Sequence, residues 1–554
     1  MAHIEVDKRE FDELVGAEID EQRLHEDASM LGVHWNHVEG PKWDVEVYPN
    51  RPDLLSVEGL ARAYRGFFDI DTGREVYDVE DGDIQVEVDP SVKEVRPFIG
   101  IAVVRGLELT EKKINGLIQL QEKLHQTLGR RRDKLAIGLH DLETVEAPFT
   151  YRAVEPEKVS FTPLEYERDM QLGEILDEHE KGQEYAWILE DEDRYPLIED
   201  SEGRVLSFPP IINNQLTEVE TGTRDILVDV TGKELETVKK ALNIIATALA
   251  ERGGDIETVE VDGDRMPEIE PGKRELDLDY FRGISGLGLD AGQVIERLER
   301  MKMGAARKQD TIEVEVPAYR TDVMHQYDLI EDVVIAHGYG NVGPELPEVD
   351  QLARERPVED YTRLLRDTLQ GTGALEAHTY ILSNREKLFH RMDIPEEDIA
   401  EMSNALTEDY TAVRNWLLPS LMEVLQRNRH RSYPQKFYEV ADVSVLDDSD
   451  TGASNRRKLA YVHSSNDVDY NDVRQVLQVL ERDLGVEFEV RSPGIDCYED
   501  GRAATVYLDG EEVGAIGEFS REVLGNWQLE MPAAGFELDV EKLLRLSSKA
   551  EHDG

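Results

Sequence analysis

Cysteine is nearly absent from this chain, and so are long apolar segments. The only cysteine among 554 residues is Cys497, which excludes an internal disulfide framework and a zinc site made of several thiolates. A membrane-spanning helix needs about 18 or more consecutive apolar residues, and the sequence has no such run. The charged N-terminus lacks the basic and apolar regions of a signal peptide. We therefore expect a cytoplasmic protein without a membrane partner.

Positive charge is also scarce. The chain has 62 Lys and Arg against 119 Asp and Glu, which gives a net charge of −57. Such self-repulsion opposes compaction, yet a hydrophobic content of 40% favours packed domains over disorder. At molar salt the Debye length falls to about 3 Å, which screens the repulsion. The composition therefore predicts a protein of a high-salt cytoplasm.

A chain this acidic needs local basic patches if it is to bind nucleic acid. Three short clusters occur, at 130–132, 429–431 and 456–458. Ion pairs with neighbouring carboxylates are the alternative explanation for each cluster. The candidates for nucleic-acid contact are Arg130, Arg131, Arg132, Arg429 and Arg431.

The length favours three or four domains, and turn clusters and changes of composition suggest where they meet. We predict four domains, at 1–89, 90–268, 269–346 and 350–546. Strands alternate irregularly with helices in the second and last domains, which predicts an α+β class. Predicted strands of the second domain are 102–104, 136–139, 205–208 and 226–230, and its helices are 114–128 and 234–252.

The first domain contains a turn cluster at 48–53 followed by an apolar-periodic run at 54–68. Asp53 is predicted to cap the helix formed by this run. Helix capping does not explain the presence of Arg51 in the turn cluster.

The densest group of carboxylates lies in the third domain. Asp328, Glu331 and Asp332 have helical spacings and can share one face, and Asp322 ends the loop before this helix. Oxygen ligands of this kind suit a hard cation such as Mg²⁺. Because composition alone gives about two carboxylates in eleven residues, a solvated helix face remains the alternative.

Polar residues also follow two buried-looking strands of the second domain, in the segments 205–214 and 226–232. Strand ends are common positions for functional sites. Ser207 lacks the glycine-flanked turn of a nucleophilic serine, and Cys497 is in another domain. Any hydrolysis here is therefore predicted to use a positioned water molecule.

These segments resemble a known family. The stretches 134–142 and 206–213 are similar to the editing domain of archaeal and eukaryotic phenylalanyl-tRNA synthetase β subunits. The stretch 320–340 resembles the magnesium-binding helical module of that family. The stretches 414–421, 501–504 and 514–518 resemble its class II synthetase-like domain.

The resemblance implies an α+β multidomain fold, with domains in the order given above. These would be an N-terminal domain, an α/β editing domain, a winged-helix-like magnesium-binding module and an antiparallel class II synthetase-like domain without catalytic motifs. It also implies that Asp322, Asp328, Glu331 and Asp332 bind magnesium where the chain meets an α subunit. The resemblance is to the shorter archaeal-type form, because the sequence shows no counterpart of the insertions of the bacterial type, and the acidic composition suggests a halophilic archaeon.

The activity that the resemblance implies belongs to an α2β2 phenylalanine-tRNA ligase. ATP would be bound mainly by the α subunit, which also binds phenylalanine. This chain would contact phenylalanine tRNA through residues that the resemblance does not identify, and it would hydrolyse mischarged tyrosyl-tRNA. Editing needs a polar group inside an apolar cavity. The candidates are Ser207, Asn213 and Asp229, followed by His140, and strand-end hydrogen bonding is the alternative role for each.

Two other functions stay open at this stage. A freestanding hydrolase of mischarged tRNA would use only the second domain and would leave 350–546 unexplained. A non-enzymatic acidic scaffold would use its carboxylates only for solubility in salt.

Overall fold

The computed structural model describes residues 2–26, 28–37, 40–348, 353–493 and 495–550. The chain divides into two compact units, Met1–Leu346 and Pro347–Gly554. The predicted domain limits at residues 1 and 350 lie outside the described residues. Within the described ranges, no helix is both long enough and apolar enough to span a bilayer.

Unit 1 begins with a three-stranded antiparallel sheet covered by helices, around the aromatic side chains of Phe11, Trp35, Trp43 and Tyr64. Their rings meet edge to face or tilted, at centroid distances of 5.5 to 5.9 Å, an arrangement that the ring quadrupoles favour. The strand order is β1-β3-β2. The elements are β1 (Ala2–Asp7), α1 (Lys8–Val15), α2 (Glu21–Glu26), β2 (Val33–His37), β3 (Lys42–Val47) and α3 (Val57–Phe67).

The predicted cap of the helix after the turn cluster is wrong. The N-cap of α3 is Ser56, whose side chain accepts a hydrogen bond from the Gly59 N–H. Asp53 instead accepts two hydrogen bonds from Arg51, each 2.8 Å long. Arg51 and Asp53 are both buried, and mutual charge compensation is what such burial requires.

A ten-stranded sheet forms the largest part of unit 1. Its order is β12-β11-β10-β7-β4-β14-β5-β13-β6, with β15 paired to β14. Its strands are β4 (Val79–Val88), β5 (Phe98–Arg105), β6 (Leu135–Asp141), β7 (Phe149–Val154), β10 (Tyr195–Glu199), β11 (Val205–Phe208), β12 (Ile212–Asn213), β13 (Ile226–Gly232), β14 (Asp255–Val261) and β15 (Asp264–Met266). A separate ribbon pairs β8 (Ser160–Phe161) with β9 (Met170–Gln171). The helices are α4 (Glu111–Gln126), α5 (Leu172–Glu178), α6 (Glu180–Tyr185) and α7 (Leu235–Ala250).

The four strands predicted in this region are confirmed, and β5, β6 and β13 are longer than predicted because their end residues also pair with neighbouring strands. Strand β13 is buried along its whole length, as expected for a strand with neighbours on both sides. β4 pairs with β7 and β14 of this sheet, so the predicted boundary after residue 89 separates β4 from the domain in which it is paired.

Unit 1 ends with a small module of three strands and three helices. Its sheet has the order β16-β18-β17, and alternate residues of β18 face the core. Asp290 caps α9 in a capping box with Gln293. The elements are β16 (Gly272–Asp277), α8 (Leu278–Ser285), α9 (Ala291–Arg300), β17 (Gly304–Lys308), β18 (Thr311–Val316) and α10 (Gln326–His337).

Unit 2 is built on a seven-stranded sheet of order β19-β22-β23-β27-β26-β25-β24, antiparallel except for the β19–β22 pair. Helices cover both faces, so the unit has two apolar cores, one around Leu365, Leu477 and Leu543 and one around Leu421, Cys497 and Trp527. The strands are β19 (Leu375–Glu376), β20 (Leu382–Ser383), β21 (Ala412–Val413), β22 (Gln435–Leu446), β23 (Ala453–Ser464), β24 (Glu489–Arg491), β25 (Tyr498–Leu508), β26 (Glu511–Phe519) and β27 (Ala533–Asp539). The helices are α11 (Pro357–Gly371), α12 (Leu418–Asn428), α13 (Tyr470–Leu484), α14 (Arg521–Asn526) and α15 (Val540–Ala550).

Candidate functional site

A largely apolar cavity of about 250 Å³ lies where the two edges of the ten-stranded sheet, β6 and β12, approach each other. Helix α4 forms one wall, β6 and β13 form the floor, and the segment that joins β11 to β12 forms the opposite wall. Leu117, Ile137 and Phe208 are among its apolar side chains. A concave apolar site with a few polar groups is the usual form of a small-ligand site.

Asp229 is the carboxylate in the floor of this cavity. Its Oδ2 lies 2.8 Å from Nε2 of His140, and Nδ1 of His140 lies 2.8 Å from the hydroxyl of Thr217. All three residues are buried. Because both ring nitrogens have a hydrogen-bond partner, the orientation of the imidazole is fixed. The imidazole in turn fixes the orientation of the carboxylate, as an orienting group does in a catalytic site.

Glycine is required next to Asp229. Gly138 on β6 pairs with Asp229 on β13, and a Cβ added to Gly138 would lie 1.9 Å from Oδ2 of Asp229. Such a separation is far below van der Waals contact, so a side chain here would displace the carboxylate.

Ser207 and Asn213 lie in the opposite wall. The hydroxyl of Ser207 is buried and has no hydrogen-bond partner within the part of the chain that the structure describes. The amide of Asn213 donates to the Leu139 carbonyl over 3.3 Å. Three of the four predicted editing candidates, Ser207, Asn213 and Asp229, therefore line one cavity, while His140 lies behind Asp229.

Three further polar residues of the cavity were not among the editing candidates, and one of them, Arg132, was predicted only as a possible tRNA contact. Glu122 and His125 lie on α4, and Arg132 lies in the loop before β6. Arg132 donates to Glu122 over 2.7 Å and to the carbonyl of Ile211 over 2.8 Å. Arg132 therefore ties α4 to the segment between β11 and β12. The i to i+3 spacing of Glu122 and His125 is a signal in the sequence, but their pairing with Arg132 depends on tertiary structure.

The charge state of this group follows from its contacts. Burial opposes ionisation of Glu122, but the hydrogen bond from His125 and the charge of Arg132 lower its pKa to about 2. Burial lowers the pKa of His125, whose Nε2 accepts the Ile137 N–H over 2.8 Å. Glu122 is therefore an anion and His125 a neutral ring near neutral pH.

The basic candidates have different surroundings. Arg132 is buried, and its guanidinium donates to protein groups. Arg130 and Arg131 beside it are exposed, as are Arg429 and Arg431. Arg429 also donates to the side chain of Gln528 over 3.0 Å. Contact with nucleic acid stays a prediction for all five arginines, of which Arg132 is the one that is buried.

Arg320 dominates the surroundings of the predicted magnesium ligands. It donates two hydrogen bonds to Asp322, of 2.9 and 2.7 Å, and one of 2.7 Å to Asp332. Asp328 accepts the backbone N–H groups of Met324 and His325, as a capping residue does. Glu331 is exposed on α10, while Asp332 is buried.

These four side chains have the oxygen donors that magnesium prefers, but their arrangement does not fit the ion. Within the described ranges, no group of three or more His, Cys, Asp or Glu side chains is placed to hold a metal. Arg320 compensates the charge instead and lowers the pKa of Asp322 to about 2 against the effect of burial. Burial raises the pKa of Asp332.

Two family models match consecutive parts of the chain. The model described as the tRNA synthetase B5 domain matches residues 274–339. The model described as the phenylalanyl tRNA synthetase beta chain CLM domain matches residues 344–540.

Curated proteins match over almost the whole chain. The phenylalanine–tRNA ligase β subunit of Thermococcus sibiricus is 40% identical, and the alignment includes 97% of this chain and 98% of that protein. That of Archaeoglobus fulgidus is 40% identical, with 96% coverage of both chains. Among solved structures, an N-terminal fragment of the Pyrococcus horikoshii β subunit is 39% identical with a TM-score of 0.59, and covers 61% of this chain and 100% of the fragment.

Proposed function

The chain belongs to the phenylalanine–tRNA ligase β-subunit family, and we propose that it acts in an α2β2 complex as the subunit that proofreads. The α subunit binds ATP and phenylalanine and forms phenylalanyl-tRNA. This chain binds the tRNA and hydrolyses tyrosine that has been attached to it. The observation that carries the proofreading role is the cavity beside Asp229.

The domain assignment is part of this proposal. Residues 1–89 are the N-terminal domain, 90–268 the editing domain, 269–346 the winged-helix-like magnesium module and 350–546 the non-catalytic class II synthetase-like domain. The β16-β18-β17 sheet with α8 to α10 supports the third assignment, and the antiparallel sheet of unit 2 supports the fourth.

A second pocket is needed because tyrosine and phenylalanine differ by one hydroxyl group. A pocket shaped for phenylalanine rejects an analogue with an added hydroxyl only weakly, whereas a site with a hydrogen-bond partner for that hydroxyl selects the analogue strongly. The cavity offers apolar walls for the ring and the buried hydroxyl of Ser207, which has no partner among the described residues. We assign recognition of the tyrosine hydroxyl to Ser207, assisted by Asn213.

Hydrolysis is assigned to a water molecule oriented by Asp229. The water oxygen bonds to the ester carbonyl carbon, and the bond between this carbon and the ribose oxygen breaks. The products are tyrosine and uncharged tRNA. Asp229 accepts a proton of the water and returns it to the departing ribose oxygen, and His140 holds the carboxylate in place through the 2.8 Å contact.

Replacing Asp229 tests this assignment. In the purified α2β2 complex, Asp229→Asn should lower the deacylation rate of tyrosyl-tRNA by a factor on the order of a hundred or more, with phenylalanyl-tRNA formation unchanged. Asp264→Asn is the matched control, because Asp264 is exposed in the same domain. Equal deacylation by wild type and Asp229→Asn would refute the role of Asp229.

Magnesium binding by Asp322, Asp328, Glu331 and Asp332 remains a proposal that requires a rearrangement. Arg320 would have to release Asp322 and Asp332, and the α subunit is the partner that could cause this release. The Asp328→Ala, Glu331→Ala double variant should then lose magnesium-dependent assembly with the α subunit. Assembly that is equal with and without magnesium would refute the proposal.

Binding of tRNA is assigned to the exposed arginines Arg130, Arg131, Arg429 and Arg431. Each phosphate contact makes the affinity depend on salt. The Arg130→Gln, Arg131→Gln double variant should therefore bind tRNA more weakly and with a smaller salt dependence. An unchanged salt dependence would exclude these two residues from the interface.

A further inference from the structure

Unit 2 contains a separate cavity, of about 420 Å³. It lies between β22 and β23 of the seven-stranded sheet, the C-terminal end of α11 and one side of α13. Neither the proposed hydrolysis nor the proposed subunit role uses this cavity.

Two polar atoms in the wall of this cavity are buried and have no hydrogen-bond partner within the described ranges, Oη of Tyr461 and Nε2 of His463. Tyr461 is 0% exposed and His463 is 9% exposed. The two residues are two positions apart on β23, so they project from the same face of the sheet. Because buried polar atoms without partners destabilise a fold, the pair points to a small polar molecule that supplies the missing hydrogen bonds.

Opposite charges lie on two sides of the pair. Lys436 is directly across from His463 in the β22–β23 ladder, and Asp472 lies in the first turn of α13. Both line the cavity, and neither forms an ion pair with another described residue. One carboxylate oxygen of Asp472 accepts the Asp469 N–H over 3.0 Å, so the other oxygen is available.

Both charges act on His463. Burial and Lys436 lower the pKa of its ring, whereas Asp472 raises it. Burial and Asp472 raise the pKa of Tyr461, so its hydroxyl is protonated and can donate. The cavity therefore presents a cation, a hydroxyl donor and a neutral imidazole on one side and a carboxylate on the other.

The remaining charged residues at the mouth of the cavity are compensated or solvated. Asp483 accepts hydrogen bonds from Arg482 over 3.1 Å and from the hydroxyl of Thr368 over 3.2 Å. Asp367 is exposed to solvent. Lys436 and Asp472 are therefore the two inner charges that a ligand would meet.

We propose that this cavity binds a free α-amino acid, with its carboxylate at Lys436, Tyr461 and His463 and its ammonium group at Asp472. A simple anion would be attracted by Lys436 but repelled by Asp472. A simple cation would be attracted by Asp472 but repelled by Lys436. A zwitterion satisfies both charges and both buried polar atoms. The site would let the non-catalytic unit sense an amino acid, independently of the proposed hydrolysis.

Calorimetric titration of the purified α2β2 complex tests this inference. Each standard L-amino acid is added singly in high salt, and the number of sites per αβ pair is measured. At least one amino acid should bind at a class of sites that Lys436→Met and Asp472→Asn each weaken by a factor on the order of ten or more. Phenylalanyl-tRNA formation and tyrosyl-tRNA deacylation at saturating substrate should not change in these variants.

Tyr461→Phe separates ligand binding from a structural role. The hydroxyl of Tyr461 has no hydrogen-bond partner among the described residues. Removing it should therefore leave the thermal midpoint of the ligand-free protein unchanged or raise it, whereas the affinity for the amino acid should fall. Tyr438→Phe on the neighbouring strand is the matched control, because Tyr438 already donates to the Arg366 carbonyl over 3.3 Å.

Two results would overturn the inference. One is that no amino acid binds at sites sensitive to Lys436→Met or Asp472→Asn. The other is that Tyr461→Phe lowers the thermal midpoint in the absence of amino acid, because the hydroxyl would then serve an ordered water only. Either result would leave the proofreading proposal intact, since that proposal depends on Asp229.

Discussion

At the scale of single residues, Gly138 decides whether Asp229 can face the cavity. Gly138→Ala places a Cβ 1.9 Å from Oδ2 of Asp229 and 2.8 Å from Nε2 of His140. Because a displacement of about 1 Å in a catalytic group can cost a hundredfold in rate, we expect tyrosyl-tRNA deacylation to fall by about that factor. Single-turnover deacylation by the complex measures it.

The control for this prediction is Gly222→Ala, because a Cβ at Gly222 would meet no atom within 4 Å. Formation of phenylalanyl-tRNA should be normal in both variants. Full deacylation by Gly138→Ala would show that Asp229 is not the group that acts in hydrolysis.

A second residue-scale prediction concerns acid stability. The pKa of Glu122 is lowered from 4.5 to about 2, so its interactions with Arg132 and His125 stabilise the folded state above pH 4.5. This contribution is lost as the pH falls from about 4.5 to about 2. Glu122→Gln should therefore lose less stability than wild type over this interval.

Urea unfolding at a series of pH values, in constant high salt, gives the free energy of unfolding against pH for wild type and for Glu122→Gln. Parallel curves for wild type and Glu122→Gln would mean that Glu122 titrates normally. Glu234→Gln is the control, because Glu234 is an exposed partner of Lys134 and such pairs add little stability.

At the scale of elements, Arg320 attaches the middle of α10, at Asp332, to the loop before the helix. Arg320→Met leaves Asp332 buried without its cation, and breaking such a pair typically costs about 3 to 5 kcal/mol. The free energy of unfolding should fall by about this amount. Adding Asp332→Asn should recover part of the loss, because the unpaired charge is removed. Additive effects of the two substitutions in urea unfolding would contradict this coupling.

The elements also show how far the sequence could predict this molecule. Strands of buried residues such as Ile226–Gly232 are recognisable because apolar residues predominate there, and Ser207 and Asp229 were predicted because they lie on such strands. The contact between Glu122 and Arg132 was not predicted, since a helix residue and a loop residue meet only after folding. The partner of Asp53 was missed for a related reason: its position before a helix suggested a cap, but Arg51 competes for the carboxylate.

At the scale of the whole molecule, the net charge of −57 sets the conditions for stability. Many basic side chains are already paired: Arg457 with Asp442 and Lys458 with Glu537, for example. The excess carboxylates repel one another, and salt screens this repulsion. The thermal midpoint should therefore rise steadily as potassium chloride increases from low to molar concentration.

Sucrose is the control for the salt prediction, because it favours burial without screening charge. It should raise the midpoint less than salt does at equal water activity. A midpoint that is independent of salt would contradict the prediction of a high-salt cytoplasm.

The most direct test of the account compares two substrates in one assay. The purified complex is mixed with tyrosyl-tRNA or phenylalanyl-tRNA, and the rate of deacylation is measured for wild type and Ser207→Ala. Wild type should release tyrosine much faster than phenylalanine, and Ser207→Ala should reduce this preference by a factor on the order of ten or more. Equal rates for the two substrates in the wild-type complex would contradict the claim that this chain proofreads.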